Sequence, residues 1–267
     1  VHYATERRPE FSKQVVFKRA GHGAVITHQV ALYPSSTPSK DSMLKQQLVD
    51  QPFVKGELWQ DRLVQIMTSP GWTVEQIQSW VKAWFDGFCA VAGVSNLESI
   101  VDKKVSGKYF DAIPRNMVVD GNGAPIFIDQ EWIFSEDMNV GYLSFRALLA
   151  SFLSIGVVAN PFEYKYLRVS QLLICVMQCI NIDLNECRIK KYLDLERKLD
   201  QLISGKVQTY NTEELASWFA SLELRVFDTQ TPVHQKLAQR DKQLTDIFKS
   251  ASWRITRPLR AFRNWFL

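Results

Sequence analysis

The sequence lacks the features that define several common classes of protein. Four cysteines in 267 residues are too few for a disulfide framework, and Cys175 and Cys179 stand in an apolar run where thiols usually serve as small core residues. The apolar run 142–158 is too short to span a membrane comfortably, and it contains Arg146. The N-terminal residues VHYATERR hold no apolar segment, so we expect no signal peptide, and because the first residue is Val we expect a further domain upstream. The composition therefore predicts a globular protein in a reducing compartment.

Acidic residues are absent from the last part of the chain. The stretch 249–267 carries five basic residues and no acid, which leaves 27 basic and 28 acidic residues in the remainder. The excess positive charge is thus confined to the tail. A nucleic-acid binder would need a basic body, so we do not expect nucleic acid as a partner.

The basic tail is also rich in aromatic residues, a combination typical of helices that lie on anionic membrane surfaces. From Pro258 onward, Leu259, Phe262 and Phe266 would share one face of a helix. We therefore expect the tail to bind an anionic membrane surface, with docking of its aromatic residues onto the preceding domain as the alternative. The residues expected to contact the membrane are Trp253, Arg254, Arg257, Arg260, Arg263 and Trp265.

The stretch 105–132 contains two acidic residues and an amide around a predicted hairpin. Two β-rich runs flank the sequence Asp-Gly-Asn-Gly, which is strong hairpin-turn chemistry. Such a hairpin brings Asn116, just before its first strand, next to Asp129, just after its second. Carboxylate and amide oxygens suit Mg²⁺, which takes one or two carboxylates together with substrate phosphate oxygens. Asp111, on the loop before the hairpin, could then accept a proton from an attacking hydroxyl.

The residues DAIPRN, which begin at Asp111, resemble the D-x-x-x-x-N catalytic loop of protein-kinase-like phosphotransferases, and FIDQEW around Asp129 resembles their metal-binding segment. More narrowly, GKYFDAIPRN followed by IDQEW is similar to kinase-like domains attached to bacterial methyltransferases and glycosyltransferases of O-antigen and other surface-polysaccharide synthesis. The kinase-like resemblance extends from Tyr3 to Asp183 and is specific only over 107–132. It implies that Asp111 is the catalytic base, that Asn116 and Asp129 bind Mg²⁺, and that ATP is the phosphoryl donor.

The N-terminal part departs from the kinase-like pattern. No G-x-G-x-x-G is present, although Gly21–Gly23 in the turn of a predicted hairpin could be a shortened phosphate loop. On the same resemblance, Lys18 or His28 would replace the strand lysine that pairs with the phosphates. The stretch Gln51 to Leu58 would be the hinge between the lobes. Its backbone groups from Phe53 to Lys55 would contact the adenine, so Phe53 and Lys55 are further candidates for cofactor binding.

The predicted fold class is α+β, as a protein-kinase-like two-lobe fold with a reduced β N-lobe, a mostly helical C-lobe and a helical C-terminal extension. A strand hairpin is predicted over 12–32, and Thr73 with Gln76 predicts a capping box. Helices are predicted over 45–49, 58–68, 74–91, 142–158, 167–184, 213–227 and 233–248. The predicted parts are an N-lobe with hinge over 1–56, a C-lobe with the catalytic hairpin over 57–184, an extension over 185–248 and the basic tail over 249–267.

Two further charged residues have more than one expected role. Glu131 could assist a second metal position or be an exposed structural carboxylate. Arg146 is expected to form a structural ion pair with Glu131 or Asp137.

The resemblance predicts transfer of the γ-phosphoryl group of ATP to a sugar or glycan hydroxyl in bacterial surface-polysaccharide assembly, beside an upstream methyltransferase or glycosyltransferase. The tail residues SASWRITRPLR also resemble a segment of bacterial glycosyltransferase-type polypeptides, which agrees with a cytoplasmic location peripheral to the inner membrane. The alternative is a non-catalytic pseudokinase that holds the neighbouring methyltransferase or glycosyltransferase. The missing Gly-rich loop and strand lysine favour this alternative, whereas the set Asp111, Asn116 and Asp129 disfavours it.

Overall fold

A computed structural model of the chain describes residues 1–19, 25–34, 43–94, 100–207 and 209–227. Within these ranges short antiparallel strands accompany longer helices, so the predicted α+β class is confirmed. The strands are β1 His2–Ala4, β2 Lys13–Arg19, β3 Val25–Ala31, β4 Leu44–Gln46, β5 Gln51–Pro52, β6 Gly56–Leu58, β7 Lys104–Val105, β8 Met117–Asp120, β9 Pro125–Phe127, β10 Trp132–Phe134 and β11 Met138–Asn139. The helices are α1 Trp59–Thr68, α2 Val74–Ala92, α3 Val140–Leu153, α4 Val169–Gln178, α5 Glu186–Ser204 and α6 Thr212–Ser221.

An antiparallel sheet of strand order β1-β2-β3-β5 forms the N-terminal part of the chain. β2 and β3 pair from Lys13 opposite Ala31 to Arg19 opposite Val25, which confirms the hairpin predicted over 12–32. Successive side chains of a strand point to opposite faces of the sheet, so the odd-numbered residues of both strands share one face. This face looks onto the candidate site.

Strand β4 replaces the short helix predicted over 45–49. It pairs with β10, with Gln46 opposite Trp132 and Leu44 opposite Phe134. An isolated helix of one turn is unstable because its nucleation is unfavourable, whereas the strand buries Leu44 completely. Tertiary pairing therefore decides the structure of this segment, and it ties the N-terminal part to the chain that follows the hairpin.

The hairpin predicted around Asp-Gly-Asn-Gly is confirmed as β8 and β9, with Val118 opposite Ile126. β6 adds a third strand on the other side of β8, with Gly56 opposite Asp120. A Cβ at Gly56 would collide with the carbonyl oxygen of Val119, so only glycine allows this close approach. The hairpin is thus held on both edges of its first strand.

Helix α2 matches its prediction most closely. Thr73 and Gln76 form the expected capping box, and Gly93 ends the helix in the left-handed conformation with φ of 68°. Four aromatic residues recur at helical spacing and form a stripe on its buried face: Trp80, Trp84, Phe85 and Phe88. This stripe is core packing and leaves no aromatic binding surface on α2.

Helix α3 is buried almost all round and packs against α4 and α5. α3 ends at Leu153 and α4 at Gln178, so both are shorter than the runs predicted over 142–158 and 167–184. The apolar pattern continues past each helix end because several apolar residues beyond it are also buried, namely Ile155, Val158, Ile180, Ile182 and Leu184. α5 and α6 confirm helical structure after residue 184, but α6 ends at Ser221, short of the run predicted over 213–227. The helix predicted over 233–248 lies outside the described residues.

The chain forms two compact units, Val1–Val226 and Phe227–Leu267. The first unit ends inside the predicted extension 185–248, and it holds every described residue except Phe227. In the part of the chain that the structure describes, no helix is both long and apolar enough to cross a membrane.

Candidate functional site

The β8–β9 hairpin places Asn116 and Asp129 side by side. The N–H of Ile128 donates to the carbonyl oxygen of Asn116 at 2.7 Å, so the next residue, Asp129, leaves the hairpin beside Asn116. Asp129 has a φ of 50°, which is uncommon for a residue other than glycine and is often found at functional sites. Its side chain is 48% exposed. The hairpin therefore presents a solvent-accessible carboxylate next to an amide.

Asp111, on the loop before the hairpin, is buried and only 4% exposed. The N–H of Trp132 donates to its Oδ2 at 3.1 Å, and Nδ2 of Asn116 donates to its main-chain oxygen at 3.1 Å. Burial raises the pKa of Asp111 to about 6, although the positive charge of Arg146 opposes the rise. A carboxylate with this pKa is ionised at neutral pH and takes up a proton readily, as a general base must.

Lys13, at the start of β2, is a site residue that the sequence motifs do not indicate. Its side chain is only 3% exposed. Its Nζ donates to Oδ1 of Asp129 at 2.7 Å and to Oε1 of Gln29 at 2.8 Å. The same Nζ lies 3.1 Å from Oε1 of Glu131. A buried ammonium group needs such partners, so Lys13 is held at Asp129 by a specific set of acceptors.

Glu131 is buried beneath Lys13, and both of its carboxylate oxygens are engaged. Nη1 of Arg7 donates to Oε1 at 3.0 Å, and Nε2 of Gln46 donates to Oε2 at 2.7 Å. Glu131 is 4% exposed, so the expectation of an exposed structural carboxylate is wrong. The expected role at a second metal position does not fit either, because protein donors already occupy both oxygens.

Arg146 pairs with a residue that was not predicted. Its Nε lies 3.4 Å from Oε1 of Glu196 on α5, and its guanidinium group lies over the ring of Phe110 at 3.8 Å from the centroid. The predicted ion pair with Glu131 or Asp137 is therefore wrong. A pattern on one helix cannot reveal a partner supplied by the packing of α5 on α3.

A cleft of about 280 Å³ lies between the sheet and the segment that carries Asp129. Val15, Phe17, Thr27 and Gln29 line it from the sheet, together with Pro52–Val54 of the predicted hinge. The rings of Phe17 and Phe53 meet edge to face, with centroids 6.1 Å apart. The N–H of Phe53 donates to the carbonyl oxygen of Val25 at 2.8 Å. This N–H is therefore engaged within the protein, and Phe53 contributes its aromatic ring to the cleft.

Three of the predicted cofactor-binding residues lie away from this cleft. Lys18 and His28 are even-numbered strand residues, so they occupy the face of the sheet opposite Lys13. His28 contacts Asp50 there, with Nδ1 2.7 Å from Oδ1, and Lys18 is exposed. Lys55 is exposed and does not line the cleft. The alternation that places Lys13 on the same apolar face as the cleft residues was the signal that could have identified it.

The side-chain oxygens of Asn116 and Asp129 suit a magnesium ion that is also coordinated by phosphate groups. Asn116 uses Nδ2 as a donor, so its Oδ1 is the atom that it can offer to a cation beside Asp129. Within the described ranges, no group of three or more His, Cys, Asp or Glu side chains forms an all-protein metal site. Mg²⁺ does not need one, since it commonly binds one or two protein ligands and completes its shell with phosphate and water.

Two of the predicted binding regions lie outside the described residues: Gly21–Gly23 and the tail residues from Trp253 to Trp265. Comparison of the chain with protein-family models, with curated proteins and with solved structures finds no match. The geometry of the site is therefore the main guide to function.

Proposed function

We propose that this chain is a kinase-like two-lobe phosphotransferase that uses ATP and Mg²⁺ and acts on a hydroxyl group of a sugar or glycan. The observation that carries the proposal is a group of side chains around Asp129, which lines the cleft. Lys13 binds Asp129, and Asn116 joins the hairpin to the loop of Asp111. Phosphoryl transfer requires ligands for a metal ion, a positively charged side chain that binds phosphate, and a base.

Asp111 would act as the base. As the acceptor oxygen bonds to the γ-phosphorus, its proton passes to the Asp111 carboxylate, and the bond from the γ-phosphorus to the bridging oxygen breaks to release ADP. The raised pKa of Asp111 suits this step, because a carboxylate of pKa about 6 binds a proton more strongly than an ordinary aspartate.

Asn116 and Asp129 would hold the metal ion, and Lys13 would contact the phosphates. When bound, Mg²⁺ would neutralise the charge of the phosphate oxygens. Lys13 can then exchange its contact with Asp129 for one with a phosphate oxygen. Phe17 and Phe53 give the apolar end of the cleft two rings against which a nucleotide base can pack.

The acceptor and the neighbouring domain rest on the sequence resemblance alone. They are a surface-glycan hydroxyl and an upstream methyltransferase or glycosyltransferase of bacterial O-antigen type. The proposal is tested by thermal shift with ATP and Mg²⁺, followed by transfer of labelled γ-phosphate to a panel of sugar and oligosaccharide acceptors. The expected result is stabilisation by Mg·ATP together with labelled glycan. If the full chain shows no stabilisation and no transfer, the proposal is refuted.

A pseudokinase is the second candidate, because in the described arrangement Lys13 already occupies one oxygen of Asp129. A domain that keeps this ion pair closed would scaffold its neighbour without catalysis. The same thermal-shift experiment separates the two functions. A pseudokinase of this kind gives no Mg²⁺-dependent shift, whereas the enzyme gives a larger shift with Mg·ATP than with ATP alone.

The sequence of the tail supports attachment to an anionic membrane surface. Each arginine near such a surface contributes about 1 kcal/mol, and aromatic residues favour the interface. We expect the full chain to co-sediment with vesicles that contain anionic lipid, and a chain that ends at Phe248 to remain in the supernatant. Neutral vesicles are the control, and equal pelleting of the two chains would contradict this expectation.

A further inference from the structure

Lys13 is shared by two carboxylates that differ in exposure. Glu131 is 5% exposed at its side chain, and Arg7, Gln46 and Lys13 surround it. The side chain of Asp129 is 48% exposed and faces the cleft. One partner of the ammonium group is thus fixed by the protein, and the other is free to take a different partner.

The charges that surround Lys13 balance within the protein. Arg7 and Lys13 supply two positive charges, and Asp129 and Glu131 supply two negative charges. If Asp129 turns to a metal ion, Glu131 remains as the carboxylate that holds the ammonium group in place. Without Glu131, Lys13 would depend on Asp129, and a metal ion would have to compete with Lys13 for that carboxylate.

We propose that Glu131 is the positioning residue for Lys13. Glu131 keeps the ammonium group beside Asp129, where the phosphates of the nucleotide would bind, while Asp129 binds the metal. This inference rests on the proposed function. Asp129 and Glu131 belong to one short segment, and β10 follows it directly. The metal ligand Asp129 and the positioning residue Glu131 are therefore held by the same segment. The site needs no glutamate from a separate helix to position Lys13.

The test is a Mg²⁺ titration followed by thermal shift at a fixed concentration of ATP, with wild type, Glu131→Gln and Gln46→Met. Gln46 is a matched control, because it contacts the other oxygen of Glu131 and carries no charge. In Glu131→Gln the Mg²⁺ concentration at half-maximal shift should rise on the order of tenfold, the lower end of what a hydrogen bond to a charged group contributes. In Gln46→Met, which keeps the charge of Glu131 and its contact with Lys13, the concentration should rise clearly less than in Glu131→Gln, even if the protein is less stable.

Equal Mg²⁺ dependence in wild type and Glu131→Gln overturns the inference but leaves the proposed function intact. A wild-type protein that shows no Mg·ATP shift overturns both. If Glu131→Gln does not fold, Glu131→Asp replaces it, because it keeps the charge and only lengthens the contact with Lys13. A higher Mg²⁺ requirement for Glu131→Asp supports the inference, and an unchanged requirement refutes it.

Discussion

The loop of Asp111 and the segment of Asp129 place their carboxylates in opposite environments. Asp111 is enclosed by the core, 4% exposed, and its pKa is raised to about 6 by burial. Asp129 is half exposed and contacts the ammonium group of Lys13. Burial makes a carboxylate a better proton acceptor, whereas an exposed carboxylate is accessible to a metal ion from solvent. The two environments thus suit a base and a metal ligand respectively.

The largest expected difference between the two carboxylates is in activity. Asp111→Asn should lower the rate of phosphoryl transfer about 10²- to 10⁴-fold, the usual contribution of a general base, while Mg·ATP binding persists. Asp129→Asn should remove the Mg²⁺-dependent part of nucleotide binding, because it removes a cation ligand. Transfer assays and Mg²⁺-dependent thermal shifts measure the two effects.

The related changes Asn116→Asp and Glu57→Gln are suitable controls for these measurements. Asn116→Asp keeps an oxygen ligand at the metal position and should retain Mg·ATP binding. Glu57→Gln removes an exposed carboxylate that pairs with Arg62, away from the site. Mild and equal effects of Asp111→Asn and Asp129→Asn on transfer and binding would point to the pseudokinase.

The next difference is in stability. Asp111→Asn should stabilise the folded protein at pH 7.5 by on the order of 3 kcal/mol, since each unit of pKa difference corresponds to about 1.36 kcal/mol. The variant keeps an oxygen that accepts the N–H of Trp132. Asp129→Asn should instead lower stability by about 1 kcal/mol or less, because it weakens a partly exposed ion pair with Lys13.

The pH dependence gives the sign of the stability effect. The pKa of Asp111 is about 6 in the folded protein, against an ordinary value of 3.8, so the folded state binds its proton more tightly. The gain from Asp111→Asn should therefore be absent below pH 4, grow from pH 4 to 6 and stay constant above pH 6. Urea unfolding across this range measures it, and an equal gain at all pH values would exclude the burial mechanism.

The sequence was informative where a local pattern decides the structure. The turn residues between β8 and β9 predicted the hairpin, and with it the proximity of Asn116 and Asp129. Thr73 and Gln76 predicted the capping box at the start of α2. These features depend on contacts close in sequence, so a motif is enough to find them.

The same motifs could not find the contacts made between distant segments. Lys13 lies far from Asp129 in sequence, and only the sheet brings it to the site. Glu131 resembled an exposed carboxylate because its partners Arg7 and Gln46 come from other elements. Alternation along β2 was the one available sign, since it sets Lys13 apart from Lys18.

The smallest expected effect concerns the cation near Asp111. For wild type we expect the rate of transfer to fall as the pH drops through about 6, because the base form of Asp111 is lost. The positive charge of Arg146 opposes the rise in the pKa of Asp111. Arg146→Met should therefore move the acidic limb of the pH–rate profile to higher pH by about one unit. Methionine retains much of the packing over Phe110.

Glu196→Gln provides the matched control, because it removes the carboxylate paired with Arg146 and leaves the guanidinium charge in place. Its acidic limb should stay near pH 6 or move slightly lower, since Glu196 no longer offsets the positive charge of Arg146. Both variants disturb the contact between α3 and α5, so a loss of stability alone would affect them alike. A pH profile of kcat/KM that shifts equally in both would mean that helix packing, and not the charge of Arg146, sets the pKa of Asp111.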